Sequence, residues 1–114
     1  MPEDSSPIRI ELAPTFQRQL KKLAKRYRSI RKDLEPITHQ LATGQMLGVQ
    51  IPGIDYPVYK VRIKNSDIQK GKSAGYRMIH YLKTADLIIL LTIYSKADQA
   101  NISTSEIEDI LTEM

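Results

Sequence analysis

Lys60, Arg62 and Lys64 occupy every second position of the run Tyr59-Lys60-Val61-Arg62-Ile63-Lys64. In a β-strand that spacing puts all three on one face, because successive side chains point to opposite sides. Arg77 follows in a second strand-like run and Lys96 closes a third, with Tyr76, Tyr81 and Tyr94 interleaved. Lysine and arginine converge on phosphate through charge-assisted hydrogen bonds, and arginine can engage two oxygens at once. Tyrosine rings offer flat faces on which unpaired bases stack, at about 1–3 kcal/mol per base. The chemistry these residues can do is therefore the holding of a phosphate or a polyanion. Lysines on a strand also guard a sheet edge against unwanted pairing. That accounts for Lys60 and Lys64, but poorly for Arg77, whose strand is expected to be central.

Parity decides which side chains work. Tyr59, Val61 and Ile63 are expected on the buried face, so Lys60, Arg62 and Lys64 look outward; the reverse would bury unpaired ammonium groups at several kcal/mol each. Other chemistries fare worse. Gly71-Lys72-Ser73 has the ending of a phosphate-binding loop, but Ser66 stands where that motif needs glycine, and a strand follows where it needs a helix. His39 and His80 have no acidic residues at metal-ligand spacing, and His80 alternates onto the face opposite Arg77. No serine–histidine–aspartate set and no carboxylate pair on a shared face is visible, which leaves classical hydrolase chemistry unsupported. No metal site is expected.

Elements must hold this cationic set in place. Ile8 to Leu12 alternates apolar and charged residues, as a half-buried strand does. Pro14 and Thr15 open a helix. From there Phe16, Leu20, Leu23, Tyr27, Ile30, Leu34, Ile37 and Leu41 recur at steps of four and three, one helical stripe. Its opposite face carries Arg18, Lys21, Lys22, Lys25, Arg26, Arg28, Arg31 and Lys32. Pro36 interrupts the stripe and should kink or restart the helix, with Ser29 or Asp33 as caps of a second helix. A helical hairpin ending near Gly44 is expected. Gly44, Gly48, Pro52, Gly53 and Pro57 mark a loop. Strands follow over Val58–Ile63, Gly75–Leu82 and Leu87–Tyr94, with a hairpin turn at Lys83–Asp86. Ser103 and Glu106 make a capping box for a last helix whose apolar face is Ile107, Ile110 and Leu111.

The fold class expected is α+β: a small, mostly antiparallel sheet of about four strands, an N-terminal helical hairpin and a C-terminal helix. The helices would cover one sheet face and leave the other available. At 114 residues the chain suits one domain over 1–114, with 1–7 frayed. There is no cysteine, which excludes disulfides and thiolate zinc sites. The longest apolar run, Leu87 to Leu91, is too short to cross a bilayer. A net charge of +4 favours anionic partners such as nucleic acid.

The succession Tyr59-Lys60-Val61-Arg62-Ile63-Lys64, Gly71-Lys72-Ser73-Ala74-Gly75-Tyr76-Arg77-Met78-Ile79-His80-Tyr81 and Leu91-Thr92-Ile93-Tyr94-Ser95-Lys96 resembles the RelE/HigB toxins of type II toxin–antitoxin systems. The likeness runs from Ile8 to the last helix. It implies a RelE-like fold and a cytoplasmic, metal-independent ribonuclease that cuts messenger RNA at the ribosome. The ribose 2′-hydroxyl would attack the adjacent phosphorus, leaving a cyclic phosphate and a 5′-hydroxyl. By position, Lys60 and Arg62 would be base-like and charge-stabilising groups. Arg77 would neutralise the phosphorane, and Lys96 would contact the phosphate or help the leaving oxygen. Lys64, Lys72, Tyr76 and Tyr94 are the expected RNA contacts. Some members place a tyrosine or histidine just after the last strand; here Asp98, Gln99 and Asn101 stand there, which leaves the general acid open, with Tyr94 as the candidate substitute. The implied partners are a cognate antitoxin, mRNA and the ribosome, with no membrane and no small-molecule cofactor. The same fold also serves ParE-type toxins that bind DNA gyrase, and a non-catalytic RNA-binding domain is a third reading.

Overall fold

The apolar stripe at steps of four and three becomes two helices, because three residues at its middle leave helical geometry. In the computed structural model, which describes residues 8–68 and 74–114, β1 (Arg9–Leu12) leads into α1 (Pro14–Arg26) and α2 (Ile30–Ala42). Then come β2 (Val49–Gln50), β3 (Val58–Ile63), β4 (Tyr76–Thr84), β5 (Leu87–Ser95) and α3 (Thr104–Leu111). Lys72, with the rest of 69–73 and residues 1–7, lies outside the described residues.

α1 begins with proline at its first position, where the missing N–H costs nothing. The expected restart falls at Tyr27–Ser29, not at Pro36: α2 runs unbroken through Pro36, which is exposed, so water can reach the carbonyl it leaves unbonded. Ser29 is the N-cap of α2, although its side chain makes no capping bond. Asp33, the other expected cap, instead accepts from the backbone N–H of Ser66 at 2.9 Å, while Asp67 accepts from that of Ser29 at 2.9 Å. These two carboxylates clasp the helical hairpin to the segment leaving β3.

The sheet has five strands in the order β1-β5-β4-β3-β2. β2 to β5 form an antiparallel ladder, and β1 pairs in parallel with β5, Arg9 opposite Leu87 and Leu12 opposite Leu90. Expectation is thus met in class and in the antiparallel majority. The additions are the parallel edge and the two-residue β2, which sits inside what read as a loop. α1 and α2 lie on one face, where Phe16, Leu23, Ile30, Leu34 and Leu41 pack against Val61, Ile63, Tyr76, Met78, Ile88, Leu90 and Ile93.

The other face is not open, which corrects the expectation of a free face. Ile107 and Ile110 of α3, with Ala13, close over Val58, Ile79, Leu87, Ile89 and Leu91 as a second core. β5 is consequently buried along its whole length, which is why it reads as a continuous apolar run and not as an alternation. α3 starts as expected: the Ser103 hydroxyl accepts from the Glu106 N–H at 3.1 Å, and the Glu106 carboxylate reaches back to the Ser103 backbone. Among the described residues no helix is long and apolar enough to cross a membrane.

Candidate functional site

Strand register assembles the cationic set. Arg62 lies directly opposite Arg77, and Arg77 directly opposite Tyr94, so the three form one row across β3, β4 and β5. Lys60 belongs to the next row of the same face, opposite Ile79, which in turn faces Thr92. Residues directly opposite on antiparallel strands have Cβ atoms about 4.5–5.5 Å apart, and like charges so placed repel. Arg62 and Arg77 are such a pair of like charges on neighbouring strands.

Tyr94 reaches this row only through a β-bulge. Ile79 faces Thr92 while His80 faces Leu90, which leaves Leu91 as an extra residue. Leu87, Ile89 and Leu91 point into the core under α3, and the extra residue re-phases the strand so that Thr92 and Tyr94 stay on that side. Simple alternation from Leu87 would have sent Tyr94 to the opposite face.

Two glycines allow the strands to approach. A methyl group at Gly75 would run into the Ile63 carbonyl oxygen where β3 and β4 meet, two residues from Arg77. Gly48, at φ +90°, lies against the Lys60 carbonyl, with the Val61 Cγ2 2.7 Å from where a Cβ would stand.

The site residues differ in access. Arg62 and Lys64 are exposed and Lys60 is half-buried, whereas Arg77 is 5% exposed and Tyr94 is buried. An Arg77 guanidinium nitrogen donates to the Tyr76 carbonyl at 3.2 Å. Burial raises the Tyr94 pKa; Arg77 works against that shift and Glu106 with it, so the phenol keeps its proton at neutral pH. Its hydroxyl has no hydrogen-bond partner among the described residues. Tyr76 must be withdrawn as an RNA contact. It is fully buried beneath the helices, edge-on to Tyr27 at 5.8 Å between ring centroids, and has no face left for a base.

The segment after β5 gathers both lysines. Lys60 Nζ donates to Asn101 Oδ1 at 3.3 Å, and that oxygen also accepts from the Ile102 N–H at 3.0 Å. Lys96 Nζ donates to the Ala100 carbonyl at 2.8 Å, and its backbone N–H bonds the Gly75 carbonyl at 2.9 Å. Arg26 anchors this segment from α1 by a two-pronged pair with Asp98 at 2.9 and 2.7 Å, which raises the arginine's pKa. Sequence reasoning missed Asn101 as a partner of Lys60. The two are 41 positions apart, and a polar loop residue gives no local signal of such a contact.

His80 lies across the sheet from the cationic row, fully buried and stacked on Tyr59 at 5.3 Å. Burial lowers its pKa from 6.5 to about 4. Between those values the unfolded chain binds a proton that the folded chain refuses, so stability is lost as pH falls through the window. Near pH 4.5 the loss is expected to be roughly 2–3 kcal/mol. Urea midpoints near neutral pH and near pH 4.5, for the wild type and His80→Phe, check it: the variant should lose less on acidification. Equal losses would remove His80 as the cause. His39 is exposed on α2. Among the described residues no group of three or more histidines or carboxylates could hold a metal ion.

The protein is of the small α+β class, with Lys60, Arg62 and Arg77 on one face of an antiparallel ladder. The family model for the RelE toxin of the RelE/RelB toxin–antitoxin system matches residues 17–113. The chain belongs to the RelE family, the toxin half of toxin–antitoxin pairs, and family membership implies a cognate antitoxin. No curated protein and no solved structure matches it.

Proposed function

We propose that this toxin is a metal-independent endoribonuclease that cuts messenger RNA on the ribosome, in the cytoplasm. The observation that carries the reading is the Arg62–Arg77–Tyr94 row with Lys60 beside it: two arginines held face to face, next to a phenol that stays protonated. Scission needs the 2′-hydroxyl to lose its proton as its oxygen attacks phosphorus. The bond to the 5′-oxygen then breaks, and that oxygen takes up a proton. Lys60, hydrogen-bonded to Asn101, orients the 2′-hydroxyl and, in its neutral amine form, is the base-like group that takes up that proton. Arg62 and Arg77 neutralise the charge on the phosphorane, the kind of preorganised stabilisation that dominates many such steps. Tyr94 gives the proton to the leaving oxygen, and Lys96 contacts the phosphate. Lys64, exposed at the end of the cationic strand, follows the RNA backbone, as would Lys72.

Expression of the chain without its antitoxin, followed by mapping of mRNA 5′ ends, tests this. New 5′-hydroxyl ends within coding regions are the expected result. Intact transcripts with gyrase-dependent DNA damage would instead favour the ParE-type reading and overturn this one. Binding to single-stranded RNA is further expected to weaken with salt by about 0.7 log units per phosphate contacted per log unit of salt. Three or four contacts give a slope of roughly 2–3, measurable by anisotropy. A flat salt dependence would remove the cationic row as the contact.

A further inference from the structure

The helical hairpin carries a second concentration of positive charge that the site does not use. Between Leu12 and Asp33 the chain has no acidic residue. Of the eight cations in that stretch, Arg18 pairs with Glu113 and Arg26 with Asp98. The other six, Lys21, Lys22, Lys25, Arg28, Arg31 and Lys32, are all exposed. Their arrangement works against the local fold. Lys21 and Lys25 are like charges one helical turn apart, which destabilises a helix by a few tenths of a kcal/mol. Arg31 and Lys32 sit in the first turn of α2, the end where the helix dipole disfavours cations. Charge kept at a local cost, with no acid in ion-pair contact with these six among the described residues, points outward to an anionic partner.

The surroundings narrow that partner's chemistry. None of the large exposed apolar side chains (Leu12, Met46, Val49, Tyr56 and Met114) falls within the stretch, so the patch lacks the apolar anchors on which protein interfaces and membrane-surface helices depend. It has no exposed aromatic ring either: Tyr27 is half-buried against Tyr76, beneath the Arg26 guanidinium. Without a stacking platform the surface reads phosphates and not bases, which suits a double helix better than a single strand. α1 and α2 also cover the sheet face opposite the Arg62–Arg77 row, so the two cationic surfaces are separate.

We propose that the exposed cations of the α1–α2 hairpin form a docking surface for the phosphate backbone of double-helical RNA, distinct from the sheet face that takes single-stranded RNA. The choice of RNA over DNA rests on the ribonuclease reading, whereas the surface itself does not. The probe is a fluorescent RNA duplex of about 16 base pairs, 2′-O-methylated so that it cannot be cut, titrated with the full chain over a salt series. Lys21→Glu/Lys25→Glu/Arg28→Glu is expected to weaken duplex binding on the order of tenfold or more and to lower the salt slope by about 2–3. Its affinity for a 2′-O-methylated single strand should change little. The same three positions replaced by glutamine should move duplex binding in the same direction by less, showing that lost contacts, not new acids, are responsible. Circular dichroism of both variants confirms the fold. No duplex binding by the wild type, unchanged duplex binding by the variants, or equal loss for duplex and single strand overturns the proposal. Tighter binding of the matching DNA duplex overturns the assignment to RNA. Since no arm depends on cleavage, the hairpin surface and the ribonuclease reading can each fail alone.

Discussion

Replacing Arg77 by lysine is expected to lower the rate of RNA cleavage by about 10²–10³-fold while leaving RNA affinity within a few-fold. Lysine keeps the charge but loses the planar fork that can hold two phosphate oxygens at once. The cost should therefore fall on kcat and not on KM, as it does for an interaction made chiefly in the transition state. Arg77 is nearly buried, and one of its nitrogens bonds the Tyr76 carbonyl, so Arg77→Ala would also leave a cavity and remove that hydrogen bond. Lysine is the cleaner test, with a melting curve as control. In cells the same variant should no longer arrest growth. A folded Arg77→Lys protein that kills as efficiently as the wild type would falsify the assigned role.

Gly75→Ala is expected to damage both stability and activity, through a single methyl group. That methyl would meet the Ile63 carbonyl and approach the Asn65 amide at 3.1 Å, both backbone atoms of the neighbouring segment, which no rotamer change can clear. β3 and β4 would have to part at the end where Arg62 faces Arg77. Overpacking of this kind costs about 1–3 kcal/mol, which for a domain of this size lowers the melting temperature by roughly 5–15 °C. Gly44→Ala separates the two effects: its methyl meets nothing within 4 Å, but its φ of +97° strains an alanine backbone, so that variant should lose stability and keep its activity. If Gly75→Ala melts like the wild type and keeps its activity, the tight β3–β4 approach is not what sets the arginine row.

Most elements were legible because their signals are local. β3 falls on Val58–Ile63 as its alternation requires, and the Ser103–Glu106 box starts α3 where the spacing puts it. The stripe from Phe16 to Leu41 marked both helices, and Ser29, one of the two expected caps, stands at the start of the second; only the restart expected at Pro36 is absent. A proline's missing hydrogen bond matters less on an exposed helix face than the three non-helical residues at Tyr27–Ser29. His80 left the working face by parity alone, and its burial against Tyr59 agrees.

Residue pattern by itself determined the element types, the shared face of Lys60 and Arg62, and the cationic character of the ladder, because period-2 and period-3.6 placement depends only on a residue's neighbours in the chain. Tertiary structure alone decided the rest. It put β1 parallel beside β5, closed α3 over the second face, buried Tyr76, and tied Lys60 to Asn101. It also inserted Leu91 as the extra residue that turns Tyr94 toward Arg77. Each of these is a pairing between segments distant in the chain, fixed by which surfaces meet and how closely they pack. No local period records that.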